Sequence, residues 1–128
     1  MGQPAAVMGD RITGTCLVHQ MPNPASGVPQ PAGPLPFSAP LTIGLATTVL
    51  IGGKPAAVQG SSGTNTPPHV GLHATDPFAV PTLQVGRVVS GSPTVLIEGK
   101  QAARTGAQVT CCVDVGQLVG SAATVLIA

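Results

Sequence analysis

Six side chains in this sequence can hold a metal or attack a bond: Cys16, His19, His69, His73, Cys111 and Cys112 are all of its cysteines and histidines. Mixed thiolate and imidazole donors suit tetrahedral zinc, which takes four such ligands at about 2.0–2.3 Å. Cys16 and His19 have a two-residue gap typical of ligand pairs. His69 and His73 lie four apart in the stretch NTPPHVGLH at 65–73. On a helix that spacing would put both imidazoles on one face, but Pro67, Pro68 and Gly71 disfavour a helix interior. A rigid loop presenting two imidazoles is expected instead. The same residues also fit hydrogen-bonded loop histidines and cysteines used as small hydrophobes. An odd cysteine count with two adjacent residues does not make a disulfide framework, so reduced thiols and synthesis in a reducing cytoplasm are expected. Catalytic chemistry has little support. HVGLH lacks the glutamate of the HExxH zinc-protease pattern, the only acids are Asp10, Asp76, Glu98 and Asp114, and there is no GxSxG elbow or phosphate-binding glycine loop.

What must position those donors is a chain of 128 residues, one domain by length. Only 7% of its residues are charged and 2% aromatic, against roughly 25% charged in an ordinary soluble domain. With 17 Gly and 14 Pro, turns are favoured over long helices. A formal net charge of +1 and the lack of aromatic platforms exclude a nucleic-acid binder. The N-terminus reads as no signal peptide, and no apolar run reaches the roughly 18 residues of a membrane span. Low charge with high apolar content implies surface that a partner covers.

An internal repeat organises the chain. TTVLIGGKPAAVQG at 47–60 aligns without a gap on PTVLIEGKQAARTG at 93–106. Each block has a β-favouring run, a two-residue break containing Gly, and a second short run, the pattern of a β-hairpin. A third copy is split between the ends. The chain finishes SAATVLIA, a first arm without a second, and starts QPAAVMGD, a second arm without a first. Thr124–Ile127 is therefore expected to pair around Pro4–Met8, closing three hairpins about a pseudo-threefold axis and removing exposed strand edges. The VLI runs do not alternate, which predicts burial on both faces. Residues 21–41 form a proline-rich insertion with seven prolines between Pro22 and Pro40, expected as an ordered extended loop anchored by Leu35, Phe37 and Leu41. Every cysteine and histidine then falls in one of three connecting loops that can converge at one end.

The block GSPTVLIEGKQAARTG at 91–106 resembles the repeat of the PAAR family. Its signature stands here as Pro55-Ala56-Ala57-Val58 and Gln101-Ala102-Ala103-Arg104, with Pro4-Ala5-Ala6-Val7 as the N-terminal relic. Met8-Gly9-Asp10 matches the family's Gly-Asp, whereas Thr105-Gly106-Ala107 lacks the acid. The resemblance implies an all-β fold, a small pointed β-cone of three pseudo-threefold hairpins with little helix, spanning 1–128 as a single spike-tip domain. It further implies a cap on the trimeric spike of a contractile injection system, one tip per trimer and not a homo-oligomer. Such a cap touches the target membrane transiently, has cargo or an effector as a further candidate partner, and leaves the cytoplasm inside an injection particle. One structural zinc near the apex is implied, with iron as the alternative metal. Carried onto this sequence, its ligands are His19, His69, His73 and Cys111, since Cys111 takes the family cysteine's place counted from Gly106. Cys16 is an alternate, and so is Cys112, which takes that place when counting back from Thr124. Spike contacts are expected from Thr48, Val49, Leu50, Ile51, Thr94, Val95, Leu96, Ile97, Thr124, Val125, Leu126 and Ile127. A small zinc hydrolase and a metal-carrying or redox protein using Cys111 and Cys112 are the other readings.

Overall fold

The computed structural model describes residues 2–112 and 114–128. The strands are β1 (Gln3–Ala5), β2 (Arg11–Cys16), β3 (Gln20–Pro22), β4 (Pro29–Pro31), β5 (Leu35–Pro40), β6 (Leu50–Ile51), β7 (Lys54–Pro55), β8 (Ser62–Thr64), β9 (Val85–Ser90), β10 (Leu96–Ile97), β11 (Lys100–Gln101), β12 (Gln108–Cys111), β13 (Asp114–Leu118) and β14 (Ala122–Ile127). One 3-10 turn at Pro81–Leu83 is the only helical element among the described residues.

Both internal repeats form hairpins, β6 with β7 and β10 with β11. The split third copy is reunited as expected: β14 pairs antiparallel with β1, Gln3 opposite Ile127 and Pro4 opposite Leu126. Closure is written in the backbone. Ala6 N–H donates to Ala103 O (3.1 Å), Ala103 N–H to Ala57 O (2.9 Å), and Ala57 N–H to Ala6 O (3.0 Å). These three alanines occupy the same place in each repeat, so the bonds run once around a pseudo-threefold axis. Only small side chains fit there, and Ala6, Ala57 and Ala103 are all fully buried. A second ring supports the first, with Met8 N–H on Pro55 O, Gln59 N–H on Gln101 O and Thr105 N–H on Pro4 O. The second arm of each repeat thus pairs with both neighbouring repeats.

From this ring each copy continues into a strand pair: β2 with β5, β8 with β9, and β12 with β13. Together they make one six-stranded sheet in the order β5-β2-β13-β12-β9-β8. Its ends approach at a seam where Thr66 N–H donates to Ser38 O (2.8 Å) and Ser38 N–H to Asn65 Oδ1 (3.0 Å). The result is a nearly closed small β-cone. Alternating residues fill its interior: Ile12, Phe37, Ala39, Val88, Val109 and Leu118 belong to one buried cluster. Gly63 stands where an added Cβ would collide with Pro40 O, so only glycine lets β8 lie this close to the end of β5.

Two expectations need adjusting. The VLI runs are not covered on both faces by the chain itself: Ile51 and Ile127 point inward, whereas Leu50, Leu96 and Leu126 are 59%, 62% and 61% exposed. The proline-rich segment 21–41 divides in two. Its first part holds the β3–β4 hairpin, but Leu35–Pro40 is β5, a full wall strand whose Phe37 and Ala39 enter the core. Proline is tolerated in β5 because the strand lies at the seam edge, where a missing N–H breaks no ladder.

Candidate metal centre

Three loops cross the end of the cone away from the alanine ring: residues 17–34 between β2 and β5, 65–84 between β8 and β9, and the tight β12–β13 turn. The six residues of β2 carry the chain about 17 Å from ring to loops at about 3.3 Å per residue. At that end Cys16, His19, His69 and Cys112 bring one donor atom each to within 4.8 Å of all the others. Cys16 closes β2 with its side chain fully buried, and His19 follows it inward. Cys112 owes its place to the backbone: it has φ 55°, a left-handed conformation unusual for a residue with a Cβ. Such strain costs on the order of 1–3 kcal/mol and persists where surrounding structure requires it. Here it turns the thiol back over the cone's end.

Two of the six donor spacings match those of a tetrahedral zinc site. Bonds of about 2.3 Å to sulfur and about 2.0–2.1 Å to nitrogen, meeting at the tetrahedral angle, put two sulfurs about 3.8 Å apart and sulfur about 3.5 Å from nitrogen. Cys16 Sγ lies 3.7 Å from Cys112 Sγ, and Cys112 Sγ lies 3.5 Å from His19 Nε2. His69 Nε2 is buried with no hydrogen-bond partner among the described residues. Burying such a group unpaired costs roughly 1–3 kcal/mol, which a cation at the centre of the four donors would offset. Four protein donors complete a tetrahedral shell and leave no position for a bound water, the arrangement of a structural metal.

Outside the donors the site is braced. His19 Nδ1 faces Asp76 Oδ2 at 3.3 Å, both side chains fully buried, so the carboxylate orients the ring and leaves Nε2 free to coordinate. Asp76 Oδ2 also accepts from Gln20 N–H (2.8 Å) and Oδ1 from Phe78 N–H (2.7 Å). Burial pushes the Asp76 carboxyl up, but these two amides and the neighbouring His19 outweigh it and hold the group below its ordinary value. The His69 loop is clamped by the buried Gln84, whose Oε1 accepts from His69 N–H (2.7 Å) while its Nε2 donates to the carbonyls of His69 and Phe78. The chain's two phenylalanines both face the imidazoles. Phe78 packs edge-on to His19 at 5.5 Å between ring centroids, and Phe37 lies 6.3 Å from His69.

Electrostatics define what a metal would do here. Burial pushes the Cys16 thiol up to about 12, with nearby Cys112 adding to the effect, and pushes Cys112 up to about 11. Burial and then the adjacent His19 lower the His69 imidazole. The pocket thus disfavours thiolate and imidazolium alike, and a divalent cation supplies the charge that makes thiolates stable there.

Of the four ligands favoured by the sequence, His19 and His69 lie in the cluster, and the alternates Cys16 and Cys112 complete it. His73 lies outside: its Nδ1 accepts from Thr75 N–H and its Nε2 donates to Gly27 O at 3.0 Å, fastening the β3–β4 hairpin to the 65–84 loop. Cys111 faces into the core among the buried hydrophobes. Asp76 and Gln84 brace the site without having been marked by spacing, and no motif identifies either. The other expected site residues are surface contacts, and Thr48 among them also ties two repeats together, its N–H and hydroxyl both donating to Glu98 Oε2.

The family model described as PAAR motif matches residues 79–128, which include the complete β10–β11 hairpin and the C-terminal arm β14. No curated protein matches the chain.

Proposed function

We propose that this PAAR-motif chain is the terminal cap of the trimeric spike in a contractile injection system, made in the cytoplasm and carried out of the cell within the assembled particle. The observation that carries the reading is the base. The same leucine of each repeat, Leu50, Leu96 and Leu126, stands about 60% exposed around a ring closed by backbone bonds. Three equal apolar contacts on one chain are what the end of a threefold trimer requires, since a monomer can satisfy three identical faces only through internal repetition. Thr48–Ile51, Thr94–Ile97 and Thr124–Ile127 form the contact zone. The exposed leucines would enter the trimer's core while strand ends continue its sheets.

Zinc at Cys16, His19, His69 and Cys112 would serve this role mechanically. It would tie all three loop systems together at the end that meets the target first, where long loops have little core of their own. A filled four-donor shell supports a structural metal over a hydrolytic one. The test is capping. Mixed with the trimeric spike protein encoded in neighbouring genes, the chain should bind at one copy per trimer, and Leu96→Glu should abolish binding without changing the melting curve. Binding at three copies per trimer, or unimpaired binding of that variant, would overturn the assignment.

A further inference from the structure

Charge is distributed unevenly over the molecule. The loops at the metal end, 17–34 and 65–84, contain no Lys, Arg or Glu, and Asp76 is their sole acid, buried against His19. The third loop adds only Asp114, half-buried and accepting from Leu17 N–H at 2.9 Å. All five cations lie on the wall or the base, with Lys54 and Lys100 in the base hairpins. Meanwhile Leu17, Val18, Val70, Val80, Leu83 and Val115 are each 46–84% exposed at the metal end. They come from all three loop systems rather than from one groove or face. A docked protein would cover one side, whereas a medium that surrounds the tip meets every side.

From this we infer that the metal end partitions by itself into the apolar boundary of a lipid bilayer, through hydrophobic contact and not through anionic headgroups. This deepens the spike-tip reading and rests on it only for the occasion on which the tip meets a membrane. Backbone chemistry agrees: nine of the chain's 14 prolines fall in these two long loops, and a proline has no N–H to strip of water. Two thiolates would balance a divalent zinc, so the metal adds no net charge to the end that enters. Depth is limited by the wall. Arg87 lies on β9 two residues below Val85, about 7 Å at strand rise, which matches the roughly 5–10 Å reached by interfacial apolar faces.

Vesicle flotation of the zinc-loaded protein tests this. The chain should float with pure phosphatidylcholine vesicles, equally well at high salt and with phosphatidylglycerol added. Val70 and Val115 are 80% and 84% exposed, so Val70→Lys combined with Val115→Lys should leave the melting curve unchanged and lower flotation about tenfold. No flotation with phosphatidylcholine, or flotation only with phosphatidylglycerol, overturns the inference. So does self-association without lipid that the same double substitution abolishes, since the apolar end would then be a protein interface. A chain that ignores vesicles yet caps the trimer leaves the spike assignment standing.

Discussion

Replacing Asp76 by Asn tests how the metal site is held together. The substitution keeps size and one oxygen, but removes the charge that faces His19 Nδ1 and accepts from Gln20 N–H. Carboxylates that orient a ligating imidazole are typically worth 10–100-fold in metal affinity, about 1.4–2.7 kcal/mol. At fixed free zinc the same energy is lost from the folded state. With an unfolding entropy of about 2.1 cal/mol/K per residue, a chain this size loses roughly 0.27 kcal/mol per degree, so the zinc-loaded melting temperature should fall about 5–10 °C further than that of the stripped protein. That difference is the informative quantity. A merely structural role for Asp76 would lower both melting temperatures equally, through the lost bonds to Gln20 and Phe78. Competition against a chromophoric zinc chelator gives the affinity directly, and a competition curve superimposing on that of the parent protein would refute the orienting role.

Two further outcomes follow from the same geometry. Cys112→Ser should lower zinc stoichiometry, whereas Cys111→Ser and His73→Ala should retain a full equivalent by elemental analysis, the last with faster proteolysis near Gly27 as the β3–β4 hairpin loses its anchor. Deleting residues 124–128 removes most of β14 and exposes the edge of β1; it should abolish capping and broaden the thermal transition, and a truncated chain that still caps the trimer would show that closure is dispensable.

The ring was legible because it repeats. TVLI, the glycine break and the small-residue arm occur in that order twice, and a third arm and a third TVLI stand at opposite ends of the chain, which leaves closure as the arrangement that pairs every arm. Convergence of the donors was legible for the same reason, since equivalent strands leave the ring in one direction. The identity of two ligands was not. Cys111 and Cys112 are neighbours, and strand alternation assigns one of them to the interior without showing that the other sits at φ 55° and turns its sulfur over the cone's end. His73 shares a loop with His69, and only the tertiary contact to Gly27 O separates their roles. Nor did the leucine exposure follow from pattern: a non-alternating VLI run reads as buried on both sides, whereas in the isolated chain Ile51 and Ile127 are buried, Ile97 is partly buried and the leucines are exposed. On the proposed role, those leucines are the surface that a trimer would cover.

The two ends obey different symmetries, and the sequence departs from repetition where the chemistry requires it. On the proposed role a trimer would present three equal faces, and the base repeats its leucine and its ring alanine three times. A tetrahedral ion needs four donors, which three equivalent loops cannot supply in equal shares. Here the first loop system contributes Cys16 and His19, the second His69 and the third Cys112. The connections differ accordingly: two long loops bring imidazoles over the end of the cone, while the third is a tight turn whose strained cysteine already stands there. Lengthening that turn would relax Cys112 and remove the constraint that aims its thiol. Its shortness is therefore part of the metal site, and the irregularity of the loops is the consequence of joining fourfold coordination to a threefold body.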